Sequence, residues 1–288
     1  MSGRRLDGRK IEEGIARALM LAAFGLVALA LLSILLMIGI KGIPSLSLQM
    51  LIRTPQGGYY LGREGGILNA IVGSLIVSGA ATALALALSV PVALYLNLYA
   101  RRGGRFAGAV RTAADILWGI PSIVYGVFGF LVMLALGLRA SLGAASCTVA
   151  LFEAPILLRA ADEVLRGISP ELKDASLSLG ATRLQTAFRV VVRQALPGLV
   201  TATLMAFGRG VGDTASVLFT AGFSDRIPTG LGQPAATLPL AIFFQLGTPF
   251  PEVQARAYAA AVVLTVLVLG VSLGARRWGR RLSRFTLS

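Results

Sequence analysis

Residues 169–197 read SPELKDASLSLGATRLQTAFRVVVRQALP and belong to the only long charged interruption between apolar segments, which runs from Glu153 to Pro197. Ser169 and Pro170 favour a helix start, because serine is a common N-cap and proline is tolerated at the first helical position. The serine side chain is expected to accept a backbone N–H there. Gly180 ends this helix. These signals predict a short helix between Ser169 and Gly180.

A second helix is predicted to begin directly after the first. Thr182 and Gln185 stand at capping-box spacing, and the helical pattern continues towards Ala195. The apolar positions of this helix are Leu184, Ala187, Phe188, Val191, Val192 and Ala195. Spacing alone is compatible with an ordinary loop whose apolar stripe lies on the membrane surface or packs on its own bundle. It is equally compatible with a docking role.

The composition is that of an integral membrane protein. Of 288 residues, 56% are hydrophobic and 14% are charged, with a mean hydropathy of +0.77. The net charge of +14 comes from basic residues at the ends of apolar runs, without interleaved aromatic residues, so no nucleic-acid binding is expected. Cys147 is the single cysteine and histidine is absent, so the sequence predicts no disulfide, metal site, cofactor or catalytic residue.

Hydropathy predicts an all-α integral membrane protein with six transmembrane helices. The predicted spans are about 19–40, 67–98, 113–138, 141–158, 197–221 and 257–273, with the charged loop at about 159–196. They form one transmembrane domain, residues 18–275, between tails at 1–17 and 276–288. A cleaved signal peptide is disfavoured, because the first apolar run is too long for one.

Basic residues are distributed unequally along the chain. The N-terminus, the loop after the second span, residues 159–193 and the C-terminal tail carry 20 of the 27 Lys and Arg residues, whereas the remaining loops carry six. The positive-inside rule places both termini and the charged loop in the cytoplasm. An even number of spans agrees with that placement.

Three segments depart from simple spans. The sequence GIPSIVYG at 119–126 puts a break in the third span, whose freed backbone groups must find partners in neighbouring helices or face a cavity. Pro91 is expected to kink or end the second span. The apolar piece from Leu238 to Phe244 is too short to cross, so it should be interfacial or re-entrant.

The sequence GRGVGDT, which begins at Gly208, places an arginine near the middle of the fifth span. An ionised side chain there is costly and usually faces a bundle interior or a watery path. Asp213 lies four residues after Arg209, so a continuous helix would bring the two close enough to pair. One interpretation is a buried ion pair, with Gly208 and Gly212 as close-packing sites. The other is an oxyanion path lined by the guanidinium and by amides that Gly208, Gly210 and Gly212 leave bare.

Asp115 and Glu153 are the other acidic residues near membrane depth. Asp115 is expected at the interface, at a helix end. Glu153 either faces the bundle or starts a cytoplasmic helix extension, and the sequence does not separate these alternatives. Neither residue is assigned to a site.

The motif KDASLSLGAT in the charged loop resembles the EAA loop of permease subunits in the MetI-like family of ABC importers. The matching residues are Asp174, Ala175, Ser176, Leu177, Gly180, Ala181 and Thr182. Asp174 and Ser176 stand where the family has Glu and Ala, and Arg193 where it has a first Pro, whereas Leu196 and Pro197 are as expected. The resemblance implies the MetI-like permease fold, with a cytoplasmic coupling helix that sits in a groove of an ATP-hydrolysing partner.

The segment GRGVGDTA, followed by LFTA, resembles the G-R-x-x-G-E-T-A segment of the PstA family, the permease subunits of phosphate ABC importers. Further similar segments extend from about Gly65 to the C-terminus. The resemblance implies that Arg209 and Asp213 take part in phosphate passage. The expected substrate pathway also includes Gly208, Gly210, Gly212 and Thr214. Asp213 stands where the family has Glu, and Ser216 where it has Pro.

The chain has no G-x-x-x-x-G-K-[ST] phosphate loop, so ATP hydrolysis is expected from a partner subunit. Moving an anion into an inside-negative cell costs about 2.3 kcal/mol per charge per 100 mV and therefore needs an energy source. The resemblance implies a second homologous permease subunit, a dimer of ATP-binding subunits and an extracytoplasmic phosphate-binding protein, in the lipid of a bacterial or archaeal inner membrane. The alternatives are a permease for another oxyanion, such as sulfate or molybdate, and a phosphate-sensing scaffold that does not transport.

Overall fold

The computed structural model describes residues 3–56, 64–100 and 104–283, which are largely helical. The helices are α1 (Gly3–Gly42), α2 (Leu48–Ile52), α3 (Leu68–Leu98), α4 (Arg105–Trp118), α5 (Ser122–Ala135), α6 (Leu142–Arg166), α7 (Pro170–Ser178), α8 (Arg183–Gln185), α9 (Val192–Gly212), α10 (Leu238–Leu246) and α11 (Pro251–Ser283). A 3-10 turn, Ile43–Ser45, follows α1, and a π-helical turn, Thr186–Val191, joins α8 to α9. The basic pair Arg101 and Arg102 of the predicted second loop and the last residues of the predicted tail lie outside the described residues.

Within the described ranges, five helices are long and apolar enough to cross a membrane. The number is six when the bent pair α4 and α5 counts as one span. This confirms the all-helical membrane fold and agrees with the predicted count of six. Two short antiparallel strands, β1 (Pro55–Gln56) and β2 (Glu64–Gly65), add a small ribbon before α3.

The apolar length of α1 is exposed, and the helix contacts the rest of the chain near its C-terminal end. A Cβ at Gly42 would lie 2.4 Å from the carbonyl oxygen of Tyr258, so glycine permits close packing of α1 on α11. Lys41 Nζ lies 4.9 Å from the centroid of the same tyrosine ring. The first predicted span therefore lies in a helix whose contacts with α11 are at its C-terminal end.

Helices α3 and α6 form the centre of the bundle and pack along most of their lengths. Small side chains line their contact, including Ala81 and Ala85 of α3 and Ala145 and Val149 of α6. Small residues allow close approach of helix backbones in lipid, where apolar burial supplies little drive. This packing sets the position of the acidic and polar residues described below.

Proline has opposite effects at two places in the bundle. The axes of α4 and α5 are bent by 98° where Pro121 separates them. The freed backbone groups find local partners, since Ile120 N–H donates to the Leu117 carbonyl at 3.1 Å and the Tyr125 hydroxyl donates to the same oxygen at 2.9 Å. In contrast, α3 continues past Pro91 because α6 packs against it on both sides of the proline. The alternative in which Pro91 ends the helix is therefore wrong.

The turn α8, the π-helical turn and α9 form one continuous helix from Arg183 to Gly212. This differs from the predicted boundaries, which separated a second loop helix from a fifth span starting at Pro197. The helix passes through Pro197 while its neighbour Gly198 packs closely on α6, where a Cβ would lie 2.6 Å from Val164 Cγ1. It also ends earlier than the predicted span, because closely spaced glycines weaken its last turns.

Residues 213–237 form an irregular segment that returns to α3 before α10 begins. A Cβ at Gly73 would lie 1.9 Å from the Ala236 carbonyl oxygen, and Leu238 N–H donates to Ser74 Oγ at 2.7 Å. These contacts anchor the start of α10 in the bundle. At nine residues, α10 is too short to cross a bilayer.

Candidate functional site

Arg209 lies in the last turn of α9, which ends at Gly212. Asp213 follows in an extended conformation, with φ −80° and ψ 124°, so it does not continue the helical face of Arg209. Its Oδ2 atom accepts a hydrogen bond from Ser216 N–H at 2.8 Å. The ion pairs among the described residues do not include Arg209 with Asp213. The expected pairing is wrong, because the helix ends before it reaches Asp213.

The Arg209 guanidinium lies instead over an aromatic ring. Its Cζ atom is 4.9 Å from the ring centroid of Phe152, a residue of α6 that is 4% exposed. Arg209 itself is exposed. Its helix is one of those long and apolar enough to cross a membrane. Arg209 therefore presents a positive charge at the surface of the described chain.

The three glycines next to Arg209 have different surroundings. Gly208 and Gly210 are buried, whereas Gly212 is exposed and a Cβ there would meet no atom within 4 Å. A Cβ at Gly210 would lie 2.1 Å from Glu153 Oε1, whereas a Cβ at Gly208 would only reach Val271 Cγ1 at 3.8 Å. The close contact is therefore at Gly210, and the expected close packing at Gly212 is wrong. All three glycines lie within α9, where amides take part in helical hydrogen bonds. The expectation that these amides are bare is wrong.

Glu153 is a buried acid that lies against Gly210 and that the sequence left unassigned. It is fully buried in α6, and its Oε2 atom accepts a hydrogen bond from the Thr82 hydroxyl of α3 at 2.9 Å. Its Oε1 atom has no hydrogen-bond partner among the described residues and lies against Gly210. Glu153 therefore faces the bundle, while α6 also continues beyond it. The signal available in the sequence was a lone acid within an apolar run.

The segment after α9 packs on α5, the second half of the bent pair. A Cβ at Gly126 would lie 2.5 Å from the Ala215 carbonyl oxygen, and the rings of Phe130 and Phe219 are 6.0 Å apart. Thr214 is half-buried at the start of this segment. The bend between α4 and α5 thus brings α5 against the residues that follow Arg209.

Most of the predicted coupling residues are accessible on α7 and the turn that follows it. Asp174, Ala175, Leu177, Gly180 and Thr182 are exposed, whereas Ser176 and Ala181 are half-buried. The Ser176 hydroxyl lies 3.0 Å from the Thr186 hydroxyl, which links α7 to the π-helical turn. Gly180 has φ +82°, a conformation that favours glycine, and it reverses the chain into α8.

Of the two predicted N-caps in this region, Thr182 forms the expected hydrogen bonds and Ser169 does not. The capping box is confirmed, since Gln185 N–H donates to Thr182 Oγ1 at 3.2 Å and Thr182 N–H donates to Gln185 Oε1 at 2.9 Å. The expected Ser169 cap is wrong, because its side chain accepts no backbone N–H. Its hydroxyl donates to the Glu171 carboxylate, and this hydrogen bond lowers the pKa of Glu171.

The apolar stripe of the second helix is divided between two environments. Ala187 is buried, and Val191 and Ala195 pack against α3 and α6. Leu184 and Phe188 remain 60% and 61% exposed. The own-bundle alternative thus holds for part of the stripe, and the rest stays available to another surface.

A second group of charges, termed here the Asp162 cluster, joins α3, α4 and α6. It consists of Asn97, Arg111, Asp115, Arg159, Asp162 and Arg166. Arg111 donates from Nε and Nη2 to Asp162 at 2.9 and 3.0 Å, and Arg166 Nη2 lies 3.1 Å from the same carboxylate. Asn97 donates to it at 2.8 Å, and Arg159 Nη1 lies 3.6 Å away. Because the Asp162 side chain is only 1% exposed, it is a buried anion surrounded by three guanidinium groups.

Asp115 lies at the edge of the Asp162 cluster. It pairs with Arg159 Nε at 2.5 Å and its side chain is 49% exposed. It belongs to the last turn of α4, in agreement with the expected helix-end position.

The comparisons with known proteins agree with the geometry. Residues 89–284 match the family described as binding-protein-dependent transport system inner membrane component. The chain is 35% identical over 213 residues to the phosphate transport system permease protein PstA 1 of Mycobacterium tuberculosis, which covers 73% of this chain and 69% of that protein. It is 30% identical to PstA of Pasteurella multocida over 278 residues, covering 96% and 97% of the two chains.

Solved structures show the same fold. A chain of the inward-facing MetNI methionine ABC transporter superposes with a TM-score of 0.62 at 24% identity, covering 75% of this chain and 95% of that chain. A chain of a bacterial alginate ABC transporter superposes with a TM-score of 0.62 at 16% identity, covering 98% and 100%. The chain therefore belongs to the MetI-like inner-membrane components of binding-protein-dependent ABC transport systems, and its relatives in that family include PstA permeases.

Proposed function

We propose that this chain is the membrane permease subunit of an ATP-driven importer of inorganic phosphate. The observation that carries the proposal is the exposed guanidinium of Arg209, which lies on a helix long and apolar enough to cross a membrane. Among the described residues, no carboxylate forms an ion pair with it. A charge in such a segment requires a partner or a watery path. The planar fork of an arginine matches the geometry of phosphate. The names of the relatives support phosphate as the ion.

The proposed substrate pathway follows the surface around Arg209. Arg209 supplies the positive charge, and Asp213 and Thr214 lie just beyond the helix end. Gly212 keeps that surface open, whereas Gly208 and Gly210 are packing positions within the bundle. The pathway would be completed by a second homologous permease subunit facing this side of α9.

The proposed coupling site consists of the exposed face of α7 and its following turn. Asp174, Ala175, Ser176, Leu177, Gly180, Ala181 and Thr182 would dock on one of two ATP-binding subunits. The continuous helix from Arg183 to Gly212 supports a mechanical role, because it connects the turn after α7 directly to Arg209. Movement of the docked helix would then change the access of Arg209 to either side of the membrane.

The proposed placement is a multi-pass protein of the inner membrane with both termini and α7 in the cytoplasm. The loop between α9 and α10 would then face an extracytoplasmic phosphate-binding protein. The unequal distribution of basic residues supports this orientation.

Phosphate uptake tests the role of Arg209. We expect Arg209→Gln to lower uptake about 100-fold, since loss of one anion-stabilising group typically has an effect of that size. Arg139→Gln is the matched control, because Arg139 is an exposed arginine in the loop between α5 and α6. Membrane abundance and co-purification of the partner subunits are measured in parallel. Unchanged uptake by Arg209→Gln at normal abundance would refute the proposal.

Competition separates the remaining alternatives. Excess sulfate or molybdate should leave radiolabelled phosphate uptake unchanged if phosphate is the substrate, and should suppress it if another oxyanion is preferred. In vesicles with the partner subunits, phosphate-stimulated ATP hydrolysis without phosphate accumulation would favour the sensing scaffold.

Cysteine labelling tests orientation and docking. Cys147 is the single cysteine, so Cys147→Ser provides a cysteine-free background. Leu179 is 89% exposed after α7, and Leu231 is 69% exposed in the loop before α10. Leu179→Cys should cross-link to the ATP-binding subunit and resist impermeant reagents added outside cells. Leu231→Cys should react with impermeant reagents added outside cells and should not cross-link to the ATP-binding subunit. Labelling of both cysteines from the same side would contradict the orientation.

A further inference from the structure

We infer that Phe152 is a positioning residue that holds the Arg209 guanidinium by its ring face and so keeps the arginine's N–H donors free for the transported anion. The inference rests on the proposed role of Arg209 in anion passage and adds a residue that the sequence did not suggest. The observation behind it is the 4.9 Å approach of Arg209 Cζ to the Phe152 ring centroid.

The choice of an aromatic partner has a chemical consequence. A carboxylate partner would occupy guanidinium N–H groups and cancel their charge, so an incoming anion would have to displace it. A ring face attracts the cation through its quadrupole. It does not occupy the N–H groups that point outward in the plane of the guanidinium. The arginine can therefore be held in place while still presenting donors to an oxyanion.

The Phe152 ring is itself held by the bent pair of helices. Tyr125 of α5 packs against it with centroids 5.7 Å apart at an interplanar angle of 66°. The Tyr125 hydroxyl donates to the Leu117 carbonyl at 2.9 Å, next to the break between α4 and α5. Phe152 is 4% exposed, so few alternative ring orientations are open to it. The position of Arg209 is thus connected to the bend through two aromatic residues.

The next residue of α6 fixes the register of the contact. Glu153 is anchored by the Thr82 hydroxyl and lies against Gly210, the residue after Arg209. Two successive residues of α6 therefore meet two successive residues of α9. A shift of α9 along α6 would separate Arg209 from the ring and Gly210 from the carboxyl group together.

The test compares ring chemistry with ring volume at residue 152. Phe152→Leu keeps an apolar side chain but removes the ring face, and should lower phosphate uptake about threefold to thirtyfold. Phe152→Tyr and Phe152→Trp should retain most of it. Phe130→Leu is the matched control, because Phe130 contacts Phe219 rather than a cation.

Fluorinated phenylalanines at residue 152 provide a second measurement that does not depend on tolerance of leucine. Each added fluorine weakens the attraction of the ring face for a cation with little change in shape. Uptake should fall stepwise from phenylalanine to its mono-, di- and trifluoro forms, at constant membrane abundance and constant co-purification of partners. A flat series, or Phe152→Leu with wild-type uptake, would overturn the inference. If Arg209→Gln abolishes uptake in the same assay, the proposed function stands while the role of Phe152 falls; if it too is without effect, both fall.

Discussion

The Asp162 cluster and the end of α9 surround arginine side chains with different partners. In the Asp162 cluster, Arg111, Arg159 and Arg166 converge on one carboxylate that is 1% exposed. At the end of α9, Arg209 has no carboxylate partner among the described residues and rests on the Phe152 ring. One region uses its guanidinium groups to join helices, and the other leaves a guanidinium available.

The difference shows how charge can be assigned a role in a membrane bundle. A buried carboxylate with several close donors is satisfied within the chain, and removing it leaves uncompensated charge. An arginine held by a ring face keeps unsatisfied hydrogen-bonding capacity at the protein surface. The number of charges does not distinguish a structural arginine from an available one, whereas the partner of each guanidinium does.

The largest expected effect is on the Asp162 cluster. Asp162→Ala leaves three guanidinium groups around an empty site, and we expect the free energy of unfolding to fall by about 3–5 kcal/mol. The unfolding midpoint of the purified complex and its abundance in membranes measure this. Asp115→Ala is the control and should cost less than about 1 kcal/mol, because Asp115 is 49% exposed. Equal losses from the two changes would contradict the distinction between the buried carboxylate of the cluster and the exposed one at its edge.

The next effect is on the packing beneath Arg209. Gly210→Ala places a Cβ 2.1 Å from Glu153 Oε1 and should cost about 1–3 kcal/mol through overpacking. Gly212→Ala is the matched control, since a Cβ there meets no atom within 4 Å and alanine favours the helix. Combining Gly210→Ala with Glu153→Ala should recover part of the loss, as expected for residues in contact. Strict additivity in thermal unfolding would contradict the contact.

A smaller effect is expected when lysine replaces arginine in each region. Arg209→Lys keeps the charge but loses the planar fork, so phosphate uptake should fall about tenfold. Arg166→Lys, at a 44% exposed position of the Asp162 cluster, should leave uptake near the wild-type level. Uptake assays on both variants at matched abundance make the comparison, and an equal loss from both would count against a special role for Arg209.

The smallest effect lies outside both regions, at the capping box. Thr182→Ala removes the side-chain acceptor for Gln185 N–H and should lower the free energy of unfolding by about 1 kcal/mol. Thr182→Ser preserves the oxygen and should be nearly neutral. Thermal unfolding compares them. A large loss from the serine variant would show that Thr182 acts through more than its hydroxyl.

The sequence predicted the residues of the candidate site more accurately than the contacts between them. Arg209, Gly210 and the capping box were identified from local residue patterns. The expected Arg209–Asp213 pair required a helix through residue 213, and the glycines ended it at Gly212. Phe152 was not singled out at all, since an aromatic residue in an apolar run carries no local mark of its partner.

The sequence by itself determined the helical membrane class, the exposed turn after α7 and the break between α4 and α5. Each depends on residues that are neighbours in the chain: apolar runs, caps, glycine and proline. Only the tertiary structure decided that Glu153 faces Gly210 and that Arg209 meets a ring rather than a carboxylate. The physical reason is that these contacts depend on where α9 ends and on its register against α6, and both follow from packing between distant segments.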